Sequence, residues 1–175
     1  MYYKRYSDIY SCGRTKSGQT LVLVAIDKQL VGAIEIKPQT RPEAKMVINN
    51  LRQHGIKHIS IVSGDYEQPT KNLAEELKMD NYFHSILPEN KAAIVEKLQQ
   101  EGKTVCFVGD GVNDAIAMKK ADVSISLSGA TGVATDIAQI ILMRGDLSNM
   151  YDLFILSKEL ETNLQQSLLI GLGTA

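Results

Sequence analysis

No strong charge bias, no cysteine pairing pattern and no long apolar run occur in this 175-residue chain. Each absence closes a class of function. The formal net charge is −1, so there is no electrostatic case for nucleic acid or an anionic membrane as partner. The two cysteines, Cys12 and Cys106, stand far apart and form no Cys-x-x-Cys pair, so nothing points to a disulfide framework. Cys106 lies inside an apolar run and is expected as a buried free thiol, which fits a cytosolic location. No window reaches the about 18–20 apolar residues of a membrane span, and residues 1–14 contain no apolar signal core. A transmembrane segment is therefore not expected. Leu168-Leu169-Ile170-Gly171-Leu172-Gly173 is apolar but breaks off, like the start of something cut short. Internal repeats and low-complexity linkers are absent too.

What is present is a globular composition, 44% hydrophobic and 22% charged, in a chain long enough to bury a core. Two apolar runs, Leu21–Ile26 and Val31–Ile36, flank Asp27-Lys28-Gln29, a plausible hairpin turn. Thr40-Arg41-Pro42-Glu43 has capping-box spacing and should open a helix with the stripe Ala44, Val47, Ile48, Leu51, stopped by Gly55. Strand and helix then alternate. Strands are expected at His58–Val62, Ile86-Leu87, Thr104–Val108, Val123–Leu127 and Gln139–Met143. Helices are expected around Thr70–Leu77, after Pro88, at Asn113–Ala121 and Thr131–Ala138, and after the cap Asp146. The last helix carries Met150, Leu153, Phe154, Leu160, Leu164 and Leu168 on one side. Such alternation argues for an α/β fold with a parallel sheet covered on both faces, whose ligands bind at the carboxyl ends of strands.

Two polar clusters fall at such ends. Gly109-Asp110-Gly111-Val112-Asn113-Asp114 follows the run Val105–Val108 directly. Its glycines let the backbone turn sharply and approach a ligand. Its carboxylates disfavour a bare phosphate but suit a Mg²⁺ that carries phosphate oxygens. An ordinary turn with Asp and Asn as helix caps uses the same residue types. Ser63-Gly64-Asp65 offers a hydroxyl and a flexible backbone amide, donors that hold phosphate oxygens. Lys91 lies near the start of a helix, against the dipole, a cost that a phosphate could offset. A solvated surface lysine is the alternative. Donors, lysine and paired carboxylates together describe a Mg²⁺-dependent phosphoryl-transfer site.

In this order the motifs resemble the haloacid dehalogenase superfamily, and more closely the phosphorylation domain of P-type cation-transporting ATPases of the heavy-metal subclass. Gly-Asp-Gly-x-Asn-Asp stands unbroken at 109–114. The family's Thr-Gly-Asp is matched by Ser63-Gly64-Asp65, and its Pro-x-x-Lys by Pro88-Glu89-Asn90-Lys91. Ala121–Ser126, Gly129–Ala138 and Ile140–Met143 are similar to the segments that follow. The resemblance spans about residues 20 to 172. It implies a Rossmann-like parallel sheet and ATP-driven phosphoryl transfer coupled to metal-ion transport, in the cytoplasmic domain of a membrane protein. Carried over by position, Lys91, Ser63 and Asp114 would be catalytic. Ser63, Gly64, Asp65, Lys91, Gly109 and Asn113 would bind phosphate or nucleotide, and Asp110 and Asp114 would hold Mg²⁺. ATP is the cofactor of the complete family protein.

One family element is missing. The phosphorylated aspartate belongs to an Asp-Lys-Thr-Gly-Thr motif on the central strand, and no such motif occurs here. Asp27-Lys28-Gln29-Leu30 is a superficial candidate whose third and fourth residues do not fit. Lys37 stands where the family has an aspartate. The resemblance therefore implies the C-terminal half of a phosphorylation domain, from a truncated product or an excised segment. Residues 1–31 would be the end of the nucleotide-binding domain, 32–145 the phosphorylation domain, and 146–175 a helix leading toward a membrane segment. Phosphate or nucleotide would be its ligands, and the missing pump portion or a second copy its partners. A free-standing phosphatase with Asp27 as nucleophile, or a non-catalytic domain that complements or regulates a separate pump half, are the other readings. Without the nucleophile strand, the strands ending at Ser63 and Gly109 should face a gap. Leu21–Ile26 could fill it, the chain could self-associate through the open edges, or the sheet could stay partly molten.

Overall fold

The computed structural model describes residues 12–14, 20–36, 39–109, 113–127, 136–143 and 146–173. Three antiparallel strands come first: β1 (Cys12–Arg14), β2 (Thr20–Ile26) and β3 (Gln29–Ile36), in the order β1-β2-β3. The expected hairpin turn is there. Asp27 and Lys28 both take positive φ, 50° and 65°, as the tight two-residue turns that match strand twist require.

Helix α1 (Ala44–Gln53) buries Ala44, Val47, Ile48 and Leu51, the stripe that a 3.6-residue period selects. Gly55, at φ +97°, lets the chain leave it. The capping box does not form. The helix starts at Ala44, so Thr40 lies too far upstream to reach its free N–H groups, and its Oγ1 donates to Glu76 Oε2 instead (3.0 Å).

Strand β4 (Ser60–Val62), helix α2 (Glu67–Glu76) and β5 (Asn81–Phe83) form a parallel unit. The strand expected at Ile86-Leu87 lies instead at β5, and Ile86 donates a single bond to the Ser63 carbonyl. A 3₁₀ turn at Pro88–Asn90 opens α3 (Lys91–Gln100). Then come β6 (Cys106–Gly109), α4 (Ala115–Lys120), β7 (Val123–Ser126), β8 (Ile140–Ile141) and α5 (Ser148–Gly173). Most of the helix expected over 131–138 lies outside the described residues. Strands β6, β7 and β8 pair in parallel.

The two parallel units begin alike. Asp80, just before β5, accepts the Ile59 N–H at 2.8 Å, and Asp122, just before β7, accepts the Val105 N–H at 2.7 Å. Burial raises the Asp80 pKa, but that hydrogen bond and the Arg52 guanidinium outweigh it, so the carboxyl sits below its ordinary value.

Helices α1 and α5 cover one face of the sheet. Val47, Leu51, Ile125, Leu142 and Met150 form the core there, and Ile59, Val108 and Phe154 pack against it. Strands β4 and β6 therefore stand on one core, yet their ladders share no hydrogen bond. Among the described residues the sheet is divided between β4 and β6. Leu21–Ile26 does not fill the division, because β2 is paired with β1 and β3.

Cys106 departs from its expectation. It is free, but exposed rather than buried, and among the described residues β6 has a paired neighbour only on its β7 side. Open surface and local crowding differ here: enough protein surrounds the sulfur for desolvation to push the thiol up to about 11. The open surface decides reagent access, and the crowding decides protonation. Alkylation at pH 8 in a Cys12→Ser background should therefore run roughly a hundredfold slower than for a small free thiol, and rise tenfold per pH unit to about pH 11. A rate that levels off near pH 9 would show that the thiol is not desolvated.

At the start of α5 the Asp146 carboxylate accepts the Ser148 N–H at 2.8 Å, the expected cap. Met150 is buried and Leu153 and Phe154 pack on the core, but Leu156, Leu160, Leu164 and Leu168 are exposed. Among the described residues, no helix is long and apolar enough to cross a membrane.

Candidate functional site

The turn after β4 is sewn to the segment after β5. Ser63 N–H donates to Phe83 O, Ile86 N–H to Ser63 O, and Ser85 N–H to Asp65 O, at 2.7–3.0 Å. The Ser63 hydroxyl accepts the Asp65 N–H at 3.1 Å, so the three residues form one compact loop at a strand end. A Cβ on Gly64 would lie 3.4 Å from Ile86 O, ordinary contact distance. Gly64 and Asp65 are exposed and Ser63 is half-buried.

Lys91 and Asp114, 23 positions apart, meet. Lys91 Nζ donates to Asp114 Oδ1 at 2.5 Å, with 14% and 11% of the two side chains exposed. Asp114 sits at the N-cap of α4, but its side chain makes no capping bond. The plain capping explanation therefore fails for it. Lys91 opens α3, where a cation opposes the helix dipole, and Asp114 is a charge that offsets this within the chain. This pairing was not legible in the sequence, because nothing in the spacing links the two positions.

Gly109 completes the arrangement. It is buried at the end of β6, and a Cβ there would lie 2.5 Å from Asp114 Oδ2. The missing side chain is the space that the Asp114 carboxylate occupies. Asn113 is exposed beside it, and Asp110 lies outside the described residues. Ser63 makes no hydrogen bond to Lys91 or Asp114 among the described residues. The site is thus one tight pair with a separate donor loop.

These groups fit Mg²⁺ and phosphate in kind. Carboxylate oxygens are the hard donors Mg²⁺ takes, and Lys91 carries the charge a phosphate needs. With Oδ1 committed to Lys91, Asp114 is suited to positioning that lysine. A shallow cleft lined by His54, Ile155, Lys158, Glu159, Thr162 and Asn163 runs along α5 and contains none of these residues.

Comparisons with known proteins converge. The family model for haloacid dehalogenase-like hydrolases matches residues 12–122. The zinc-transporting ATPase of Bacillus subtilis (strain 168) is 38% identical over 158 residues, which are 90% of this chain and 25% of that protein. The copper-transporting ATPase 2 of Mus musculus is 37% identical over 155 residues, 89% of this chain and 10% of that protein. The crystal structure of a zinc-transporting PIB-type ATPase in its E2.Pi state superposes with a TM-score of 0.74 at 34% identity, over 90% of this chain and 26% of that one. The chain thus spans a quarter or less of the two curated relatives.

Proposed function

We propose that this chain, which belongs to the haloacid dehalogenase-like hydrolase family, is the Mg²⁺- and phosphate-binding half of the phosphorylation domain of a P-type ATPase that moves a heavy-metal cation. The similarity to zinc- and copper-transporting ATPases over about nine-tenths of the chain supports the class. The observation that carries the site is the Lys91–Asp114 pair seated against Gly109 at the end of β6. Lys91 holds phosphate oxygens by charge, and Asp114 positions Lys91. Asp110 takes Mg²⁺, with Asn113 beside it. Ser63, Gly64 and Asp65 supply a hydroxyl and backbone donors from the neighbouring loop. When bound, Mg²⁺ neutralises charge on the phosphate oxygens.

The attacking carboxylate is outside this set, and without it covalent catalysis has no first step. The chain alone should accordingly turn over no ATP. ATP, the transported cation, the pump portion as partner and a cytoplasmic position beside a membrane belong to the complete protein. Residues 1–31 are then the end of its nucleotide-binding domain and 146–175 the lead toward its membrane segment. Asp27 lies in the β2–β3 turn of the antiparallel sheet, the position from which the free-standing phosphatase reading would need it to act.

Calorimetric titration tests the site. Mg²⁺ should bind with an affinity on the order of millimolar, since most of its ligands would be water. Asp110→Asn should abolish that binding. Equal binding by the variant would make Asp110 a structural turn residue and remove the metal from this reading.

A further inference from the structure

One short stretch of backbone, residues 83–91, touches the loop of Ser63, Gly64 and Asp65 at one end and carries Lys91 at the other. Its course turns on Ser85, which takes φ +53°. Among the described residues, four non-glycine residues have positive φ. Asp27 and Lys28 are the hairpin turn, and Lys78 follows the end of α2, where a left-handed residue commonly closes a helix. Ser85 belongs to neither kind of place, and a left-handed backbone is disfavoured for a residue with a Cβ. The hydrogen bonds show what this conformation achieves. Ser63 N–H donates to Phe83 O at 2.9 Å and Ser85 N–H to Asp65 O at 2.7 Å, so the two segments advance together, as parallel strands do. Ile86 N–H then donates back to Ser63 O at 3.0 Å. Successive N–H groups of an extended strand point to opposite sides, but those of Ser85 and Ile86 both point at the loop. The chain therefore doubles back at Ser85 and passes over Gly64, where a Cβ would stand 3.4 Å from Ile86 O.

Beyond Ile86 the path to Lys91 has little freedom. Leu87 is extended at φ −69° and ψ 151°, the Pro88 ring fixes its own φ, and Asn90 N–H closes the 3₁₀ turn on Leu87 O at 2.9 Å. Lys91 follows at once as the first residue of α3. We propose that Ser85 is a positioning residue. Its left-handed turn fixes the separation of the donor loop and Lys91, so that both engage one phosphate group and Lys91 stays within reach of Asp114. The proposal rests on the phosphate reading above for its ligand, and on the backbone alone for its geometry. The Ser85 hydroxyl is not the working part, because its Oγ is engaged with His84 Nδ1 at 3.2 Å. Glycine, which adopts positive φ freely, should therefore replace this serine. Valine, for which that conformation is a genuine outlier, should not.

Two measurements on the full chain test this. In the first, inorganic phosphate is titrated in the presence of Mg²⁺ and followed on the isotope-labelled amides of Gly64, Asp65 and Lys91. Ser85→Val should weaken binding about tenfold, what one lost hydrogen bond to a charged group is worth. Ser85→Gly should bind as the unaltered chain does. A residue with a merely structural role would lower the Tm of Ser85→Val and leave its phosphate affinity alone, and that result would overturn the proposal. So would an equal loss in Ser85→Gly, since the hydroxyl would then be the working part. The second measurement is denaturant unfolding of Ser85→Val, Asp114→Ala and the double variant. If Ser85 holds Lys91 in place, the fall in the folding equilibrium constant caused by Ser85→Val should be about fivefold smaller once Asp114 is gone. Equal falls in the two backgrounds would overturn the proposal. Ser85→Ala, a milder misfit, takes the place of valine if that variant does not fold. Should the unaltered chain bind no phosphate, the phosphate reading falls, and the unfolding cycle alone decides whether Ser85 positions Lys91.

Discussion

Asp114→Ala should destabilise the chain by about 3 kcal/mol, the lower end of what breaking a buried ion pair costs, because 11–14% of the two side chains remains open. Lys91 would then keep a nearly buried charge at a helix start, opposed by the dipole, with no counter-ion in contact. For a chain of this size that is a drop in Tm of roughly 6–12 °C. Removing both charges is a different matter. Lys91→Met combined with Asp114→Asn keeps the volumes close and leaves no orphaned ion, so most of the loss should return. Thermal unfolding of the three proteins decides. A double variant no more stable than Asp114→Ala would show that the pair is incidental to the fold, and that Asp114 holds α4 in some other way.

Gly109→Ala should be nearly as severe, although it adds one methyl group. The new Cβ would stand 2.5 Å from Asp114 Oδ2 and 3.0 Å from its Cβ and Cγ. Asp114 has little room to retreat, because its carbonyl accepts the Met118 N–H at 2.8 Å as the first link of α4. Overpacking of this kind costs about 1–3 kcal/mol, and the carboxylate can escape only by leaving Lys91. The two substitutions should therefore not add. In an Asp114→Ala background the Gly109→Ala penalty should shrink by about 1 kcal/mol or more, a coupling expected of residues in contact. Denaturant unfolding of the four proteins closes the cycle, and simple additivity would mean that the clash is relieved by backbone movement elsewhere.

Local pattern made much of this legible. Ala44, Val47, Ile48 and Leu51 announce α1 by their spacing, and the runs on either side of Asp27-Lys28 announce the hairpin. Strand β5 was not visible: Asn81-Tyr82-Phe83 is three residues long with a polar start, too short for alternation to register, while Ile86-Leu87 looked more strand-like and is not paired. Thr40 misled because capping depends on where the helix begins, which tertiary packing decides. Cys106 misled for a related reason. An apolar run predicts burial only if neighbours exist on both sides, and among the described residues β6 has one. Of the site, Gly109, Lys91 and Asp114 could each be singled out by type and spacing, but their mutual contact is a long-range fact. It gives the lysine a carboxylate partner within the chain itself, which no spacing announces.

Helix α5 is packed on the core at one end and exposed along the rest. Its first turns are clamped by Met150, Leu153 and Phe154 against α1, while every residue from Leu156 to Ile170 is exposed. Those fifteen exposed residues extend about 22 Å at 1.5 Å per residue. A pivot of about 10° at the clamp would sweep the far end through about 4 Å, more than the rise of two helical residues. The clamp shares its core with Ile59, just before β4, and with Val108 of β6. One set of side chains thus joins the strands that border the division to a rod whose far end stands in solvent.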